Sequence, residues 1–252
     1  MNLIDKDKKY IWHPFTQMQD WIGEDILVID KADGVWLYDI DGNKYIDGVS
    51  SLWVNVFGHR KKEIDEAIIK QLGKMAHSTF LGLSHPQAVL LAEKLIGIAP
   101  PGLQRVFYSD NGSSAMEIAL KIAYQYWQQK DGGKFASRKK FVKFSGAYHG
   151  DTIGSVSLGG MDLFHKIYKP LLFETLTAPY PYVYRFDKPE YDCGRYCLAE
   201  LESILKNHTE EIAAVVIEPE VQGAEGMITT PKGYMRGLQD LVRRYGALLV
   251  CD

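Results

Sequence analysis

Beyond Pro101, short apolar runs alternate with longer stretches of helical period, and this alternation constrains the fold more than any other feature of the sequence. The runs cover residues 105–108, 140–144, 213–217 and 247–251. The helical patterns cover 114–127, 197–207 and 232–245. An apolar run of about five residues has the length of a strand. A helical stretch of about a dozen residues is what a chain needs to cross back and add the next strand in parallel. The expected class is therefore α/β, a mostly parallel sheet covered by helices.

Residues 1–60 follow another pattern. Aromatic and β-branched residues alternate through Val35-Trp36-Leu37-Tyr38-Asp39-Ile40, and Asp41-Gly42 is a hairpin signal before Asn43-Lys44-Tyr45-Ile46. From Lys61 the period changes to helical. Ile64, Ala67, Ile68 and Leu72 share one face, and Ala88, Leu91, Leu95 and Ile96 share another after Pro86. A boundary near residue 60 is expected, dividing the chain into 1–60 and 61–252. Asp131-Gly132-Gly133-Lys134 and the 179–182 stretch read as surface loops.

Composition narrows the function. A net charge of −3, with Lys and Arg dispersed along the chain, gives no footprint for a nucleic-acid backbone. The opening residues Asp5-Lys6-Asp7-Lys8-Lys9 are charged where a signal peptide is apolar, and no run approaches the ~20 residues of a membrane span, so a cytoplasmic protein is expected. The cysteines number three, and Cys193, Cys197 and the nearby His208 are too few for a zinc site. Reduced thiols and no metal are expected. The last apolar run ends on Asp252 without a following helix, so the sequence is expected to be part of a longer chain.

Chemistry concentrates at the ends of the expected strands. Tyr108-Ser109-Asp110-Asn111-Gly112-Ser113-Ser114 joins a strand to a helix, and amides at a helix start, a glycine and a hydroxyl together suit an anionic group. The same junction, taken alone, also reads as an ordinary cap. It lacks both the Lys-Ser/Thr ending of a nucleotide phosphate loop and the spaced glycines of a dinucleotide fingerprint. Ser145-Gly146-Ala147-Tyr148-His149-Gly150-Asp151 could present a flat ring, Tyr148, and a histidine at the carboxyl edge, or form a simple turn. Asp252, at the mouth of an apolar strand, either has a partner, for which a protonated heterocyclic nitrogen would serve, or is a strand-end acid facing solvent. Glu218 ends the preceding strand at the same edge, as a second site acid or as half of a loop-facing salt bridge.

Taken in order, Trp12-His13-Pro14-Phe15-Thr16, Asp47-Gly48-Val49-Ser50-Ser51-Leu52-Trp53, Asn111-Gly112-Ser113, Tyr148-His149-Gly150-Asp151 and Ile217-Glu218-Pro219 resemble the class-III aminotransferases of pyridoxal-phosphate (PLP) fold type I. Within that class the tryptophan-histidine-proline opening, the Asp47-Gly48 segment and Ala123-Tyr124-Gln125-Tyr126-Trp127 are similar to the 7,8-diaminononanoate synthases of biotin biosynthesis. The resemblance implies that pyridoxal 5'-phosphate is the cofactor. Gly112 and Ser113 would hold its phosphate, Tyr148 would stack on its ring and line the substrate pocket, and Asp252 would pair with the ring nitrogen, with Glu218 close behind. The first 60 residues would belong to a smaller domain folded over the site, placing Phe15, Leu52 and Trp53 near the substrate, and 61–252 would be the first part of the large PLP-binding domain.

The implied reaction converts 8-amino-7-oxononanoate to 7,8-diaminononanoate in a homodimer. Synthases that draw the amino group from S-adenosylmethionine commonly carry tyrosine where Phe15 stands and tryptophan where Leu52 stands. Relatives that use lysine look more like this chain there, so both donors stay open. The Schiff-base lysine of the family falls a few tens of residues beyond the Asp252 position and is not in this sequence. Two other readings are another class-III ω-aminotransferase acting on a diamine or ω-amino acid, and a non-catalytic remnant.

Overall fold

The computed structural model describes residues 1–161, 166–187 and 192–252. Its chain divides into two compact units, Met1–Gln104 and Arg105–Asp252.

The first unit opens with α1 (Leu3–Tyr10), started by a capping box in which the Asp5 amide donates to Asn2 Oδ1 at 2.8 Å and the Asn2 amide donates to Asp5 Oδ2 at 3.1 Å. A single turn, α2 (Met18–Trp21), follows. Then come β1 (Ile29–Asp33), β2 (Trp36–Asp39) and β3 (Lys44–Ile46), an antiparallel meander in the order β1-β2-β3. Asp41-Gly42 makes the expected turn, with Gly42 at φ 84° and its amide donating to the Asp39 carbonyl at 3.1 Å. The nearly buried Asp39 carboxylate ties the turn by accepting from the Asp41 and Asn43 amides, the Asn43 side chain and the Tyr45 hydroxyl. Those bonds, the Asn43 side chain's first, hold its carboxyl below the ordinary range. Two longer helices, α3 (Lys62–Leu72) and α4 (Pro86–Ile98), take the two expected stripes. Pro86 sits at the first helical position of α4, where its missing N–H costs nothing.

The second unit is a parallel sheet in the order β5-β4-β6-β9, built from β4 (Lys140–Phe144), β5 (Thr175–Ala178), β6 (Ile212–Ile217) and β9 (Leu248–Cys251). Its helices are α5 (Gly112–Gln129), α6 (Ile153–Leu158), α7 (Cys193–Asn207) and α8 (Tyr234–Arg244), and a short antiparallel pair, β7 (Val221–Gln222) and β8 (Ile228–Thr229), follows β6. All six residues of β6 are buried, as a central parallel strand with both faces covered requires. Met116, Leu120, Ala123 and Trp127 of α5 pack with Phe141, Ala214 and Val216 on one face. Leu201 and Leu205 of α7 with Leu238, Leu241 and Val242 of α8 cover Val142, Phe144, Val215 and Ile217 on the other. The alternation slips at Ala213, an extra residue between the pairs Lys140↔Ile212 and Phe141↔Ala214. The Ala213 carbonyl accepts from the Trp127 indole at 2.8 Å.

Two expectations need correction. Residues 105–108 are not a strand, because a strand exists only by ladder pairing and these residues are in none of the ladders of the described residues. The 179–182 stretch is irregular, but Tyr180 and Pro181 are buried, since the Tyr180 ring packs edge-on against Phe144 at 6.1 Å. Cys193 and Cys197 lie buried one turn apart on α7, neither in a disulfide, and His208 contacts Glu211. Among the described residues, no helix is long and apolar enough to cross a membrane.

Candidate active site

In the second unit, the loops leaving β4 and β6 and the residue after β9 gather with the start of α5 at the carboxyl edge of the sheet, where ligands of open α/β sheets bind. Asn111, in extended backbone, caps α5 by accepting from the Ser114 amide at 2.8 Å. The cap therefore satisfies only one of the first amides. Those of Gly112 and Ser113 donate to no acceptor among the described residues. A Cβ on Gly112 would meet no atom within 4 Å, so the space before these amides is open. Cap and anion cradle coexist at this junction.

The loop after β4 is pressed onto that cradle. Ser113 Oγ accepts from the Asp151 amide at 3.3 Å, leaving its own hydrogen to donate elsewhere, and the Ser113 carbonyl accepts from Ser155 Oγ at 3.2 Å. Gly150, at φ 110°, is held so close that a Cβ would collide with the Ser113 hydroxyl. One turn along α5 from Ser113, Glu117 accepts from the Gly154 amide at 2.7 Å and fixes the start of α6.

Glu218 joins two loops. Its Oε1 accepts from the Tyr148 amide at 3.0 Å and its Oε2 from the Gly223 amide at 2.8 Å. Tyr148 is half-buried and its hydroxyl donates to Asp151 at 2.9 Å. Burial first, and that bond second, push its pKa up to about 12. Tyr180, raised to about 12 by burial and then by the Glu218 charge, donates to the Glu218 carbonyl at 3.4 Å. Fully buried Gln222 donates to the Ser145 carbonyl at 2.9 Å. Asp252 is anchored through its amide, which donates to the Ile217 carbonyl at 3.0 Å, and through Oδ2, which lies 2.6 Å from Nδ1 of the buried His149.

The structure thus brings Gly112, Ser113, Tyr148, Glu218 and Asp252 to one edge, linked through Asp151 and His149. Glu117, Gln222 and Tyr180 are supports that the sequence reading did not name. Glu117 was findable, four residues after Ser113 on the same helix face, whereas Gln222 and Tyr180 reach the site through pairing and packing that no local pattern announces.

Phe15, Leu52 and Trp53 belong to the first unit, and all three are exposed with positive φ. The turn Ser50–Trp53 is left-handed at all four residues, with φ from 49° to 69° and no glycine. Asp47 holds it. Its carboxylate accepts from the Ser51 amide and hydroxyl, each at 2.8 Å, and from His59 Nε2 at 2.8 Å, bonds that lower its pKa, the Ser51 amide's foremost. Backbone strain maintained by a dedicated anchor is a mark of functional segments.

The model of the family described as Aminotransferase class-III matches residues 18–252. The chain is 56% identical over 249 residues to adenosylmethionine-8-amino-7-oxononanoate aminotransferase of Nitratidesulfovibrio vulgaris, covering 98% of this chain and 46% of that protein. It is 49% identical to the enzyme of that name from Geobacter sulfurreducens, covering 99% and 55%. Among solved structures, the enzyme of that name from Methanocaldococcus jannaschii superposes with a TM-score of 0.89 at 43% identity, over 99% of this chain and 54% of that one. An omega transaminase from Pseudomonas jessenii in complex with PMP superposes with a TM-score of 0.91 at 30% identity, over 100% and 56%. The chain spans about half the length of the curated relatives it matches. A family match over more than nine-tenths of the sequence, on the same parallel sheet with its loops gathered at one edge, leaves one conclusion: the chain belongs to the class-III aminotransferases.

Proposed function

We propose that the complete protein of which this sequence is part binds PLP at this edge and transfers an amino group to 8-amino-7-oxononanoate, forming 7,8-diaminononanoate. The observation that carries the reading is the linked placement of two unused amides at the α5 start, the Tyr148 ring and a carboxylate with one uncommitted oxygen. These are the donors and acceptors that an anionic tail, a flat ring and a basic nitrogen require, so the residues fit the cofactor. Bound PLP supplies an electron-withdrawing ring that stabilises charge at the carbon losing a proton.

In this reading Gly112 and Ser113 bind the phosphate through their amides and the Ser113 hydroxyl, with the α5 dipole in support. Tyr148 presents its ring face, and because its phenol stays protonated well past neutrality, it brings no charge of its own to the pocket. Asp252 would pair with the pyridine nitrogen through its carboxylate, while Glu218 fixes the Tyr148 backbone. Phe15, Leu52 and Trp53 are proposed as substrate-contacting residues of the complete protein. S-adenosylmethionine is proposed as amino donor, on the names of the relatives, with lysine as the competing donor. The complete protein is further proposed to be a cytoplasmic homodimer. The apolar residues exposed on the first unit support a partner surface, and cysteines outside any disulfide support a reducing compartment.

The test is product formation by the complete protein with PLP, the keto acid and either donor. The diamine is expected with one of them, and none with either refutes the assignment. Turnover of ω-amino acids with pyruvate but not of the keto acid would move it to the omega transaminases, which superpose as well at lower identity.

A further inference from the structure

Residues 48–58 of the first unit form a loop whose two ends are stitched to the same place, the turn between β1 and β2. At one end the Asp47 amide donates to the Val35 carbonyl at 2.9 Å. At the other the His59 amide donates to the Gly34 carbonyl at 2.8 Å, and the His59 carbonyl accepts from the Gly34 amide at 3.1 Å. Gly58 follows Gly34 so closely that a Cβ there would come within 3.0 Å of the Gly34 carbonyl oxygen. The two ends are then joined to each other by the contact of His59 Nε2 with Asp47 Oδ2, and only 5% of the Asp47 side chain and 15% of the His59 side chain are exposed. An ionised carboxylate can only accept, so the ring donates through Nε2, and its Nδ1 accepts from the Asn55 side-chain amide at 3.4 Å. The same carboxylate that closes the loop also holds Ser51 by amide and hydroxyl, inside the left-handed turn. Left-handed backbone without glycine is unfavourable by itself and persists where its surroundings over-determine it. What this frame carries is apolar: Val49, Leu52, Trp53, Val54, Val56 and Phe57 are each more than half exposed. Apolar side chains held outward on a nearly buried polar clip mark a recognition surface, since they add nothing to a core.

We infer that Asp47 and His59 are positioning residues that pre-form the Ser50–Trp53 turn, so that Leu52 and Trp53 meet the methylene chain of a long-chain keto acid without first having to be ordered. The inference rests on the proposed function, in which Leu52 and Trp53 contact the substrate, and adds two residues that act only through the turn. Its consequence is specific. Ordering a loop is a cost of binding, and a frame that removes the cost acts on the bound substrate and the transition state alike. The effect therefore belongs in the KM for the keto acid and not in kcat.

The test is steady-state kinetics of the complete protein with PLP, varying 8-amino-7-oxononanoate, together with PLP affinity and oligomeric state. Asp47→Ala removes the acceptor for Ser51 and His59 together. His59→Gln returns an amide N–H near the Nε2 position, whereas the shorter His59→Asn places one near Nδ1. Asp47→Ala should raise the KM for the keto acid at least about tenfold with kcat within about threefold of wild type. PLP affinity should not change, because the groups proposed to hold the cofactor belong to the second unit. His59→Asn should raise KM in the same sense, and His59→Gln should stay near wild type. An Asp47→Ala variant with unchanged KM, or with its loss confined to kcat, overturns the inference. So does a variant whose KM is normal but whose oligomeric state shifts, which would assign the loop to a second copy of the chain. If Asp47→Ala does not fold, the two His59 variants decide: Gln near wild type with Asn raised in KM supports the frame, and equal behaviour overturns it. A wild type that makes no diamine with either donor refutes the functional reading and this inference with it, whereas an active wild type with unaltered variants refutes only the role of Asp47 and His59.

Discussion

At the scale of single residues, this edge works by distributing a few side-chain groups among backbone donors. Glu218 shows the economy: one carboxylate satisfies the amides of Tyr148 and Gly223 and so joins the loops after β4 and β6. Tyr148 is held through its backbone and again through its hydroxyl, which donates to Asp151. Its pKa is raised from the ordinary 10 to about 12, so the sign is that of a group whose neutral form is favoured in the fold. The stability it contributes is complete below pH 10 and is lost as pH climbs through about 12. Spectrophotometric titration of the complete protein should show late-ionising phenols near pH 12, from Tyr148 and Tyr180. Tyr148→Phe should remove one of them. Should the missing phenol come instead from the group titrating near pH 10, the hydroxyl is not held as described.

At the scale of elements, the central features were legible because each is a local pattern. The apolar runs at 140–144, 213–217 and 247–251 became β4, β6 and β9, and helical periodicity located α3, α4, α5, α7 and α8 within a few residues. What failed or went unseen depends on partners distant in sequence. Residues 105–108 have the composition of a strand but not its pairing, and β7 and β8 are too short to show a period. The left-handed turn at Ser50–Trp53 contains no glycine to announce it and exists because Asp47 and His59 hold it. The contact of the β4–α6 loop with α5 is of the same kind, and Gly150 is its critical point. Alanine there meets two penalties at once, a φ of 110° that an L side chain resists and a collision with the Ser113 hydroxyl. Gly150→Ala should therefore push Ser113 off the cradle and weaken PLP binding by at least about tenfold, equivalent to ~1.4 kcal/mol. Measured cofactor affinity equal to wild type would show that the loop can yield without disturbing the cradle.

At the scale of the molecule, the parallel sheet separates two kinds of work. Its carboxyl edge carries open amides and an uncommitted carboxylate oxygen, while its amino edge is closed around Arg138. That guanidinium is buried, donates to the carbonyls of Ile212, Tyr245 and Gly246 at 3.0 to 3.3 Å, and lies 4.6 Å from the Trp127 ring centre. It thereby joins the start of β6, the end of α8 and the last turns of α5. Carbonyls at a helix end favour a cation, which explains why a charge with no carboxylate partner among the described residues is tolerated here. Replacing Arg138 by Met keeps most of the apolar stem and removes the guanidinium that links those three carbonyls. The loss of several hydrogen bonds from a charged donor should cost about 2–4 kcal/mol, seen as a lower urea midpoint. PLP affinity should stay near wild type, because Asp252 and the cradle lie at the opposite end of the strands. A variant that loses stability and cofactor affinity in parallel would mean that the two edges are coupled through the sheet, and that a rigid amino edge is a condition for the site at the other.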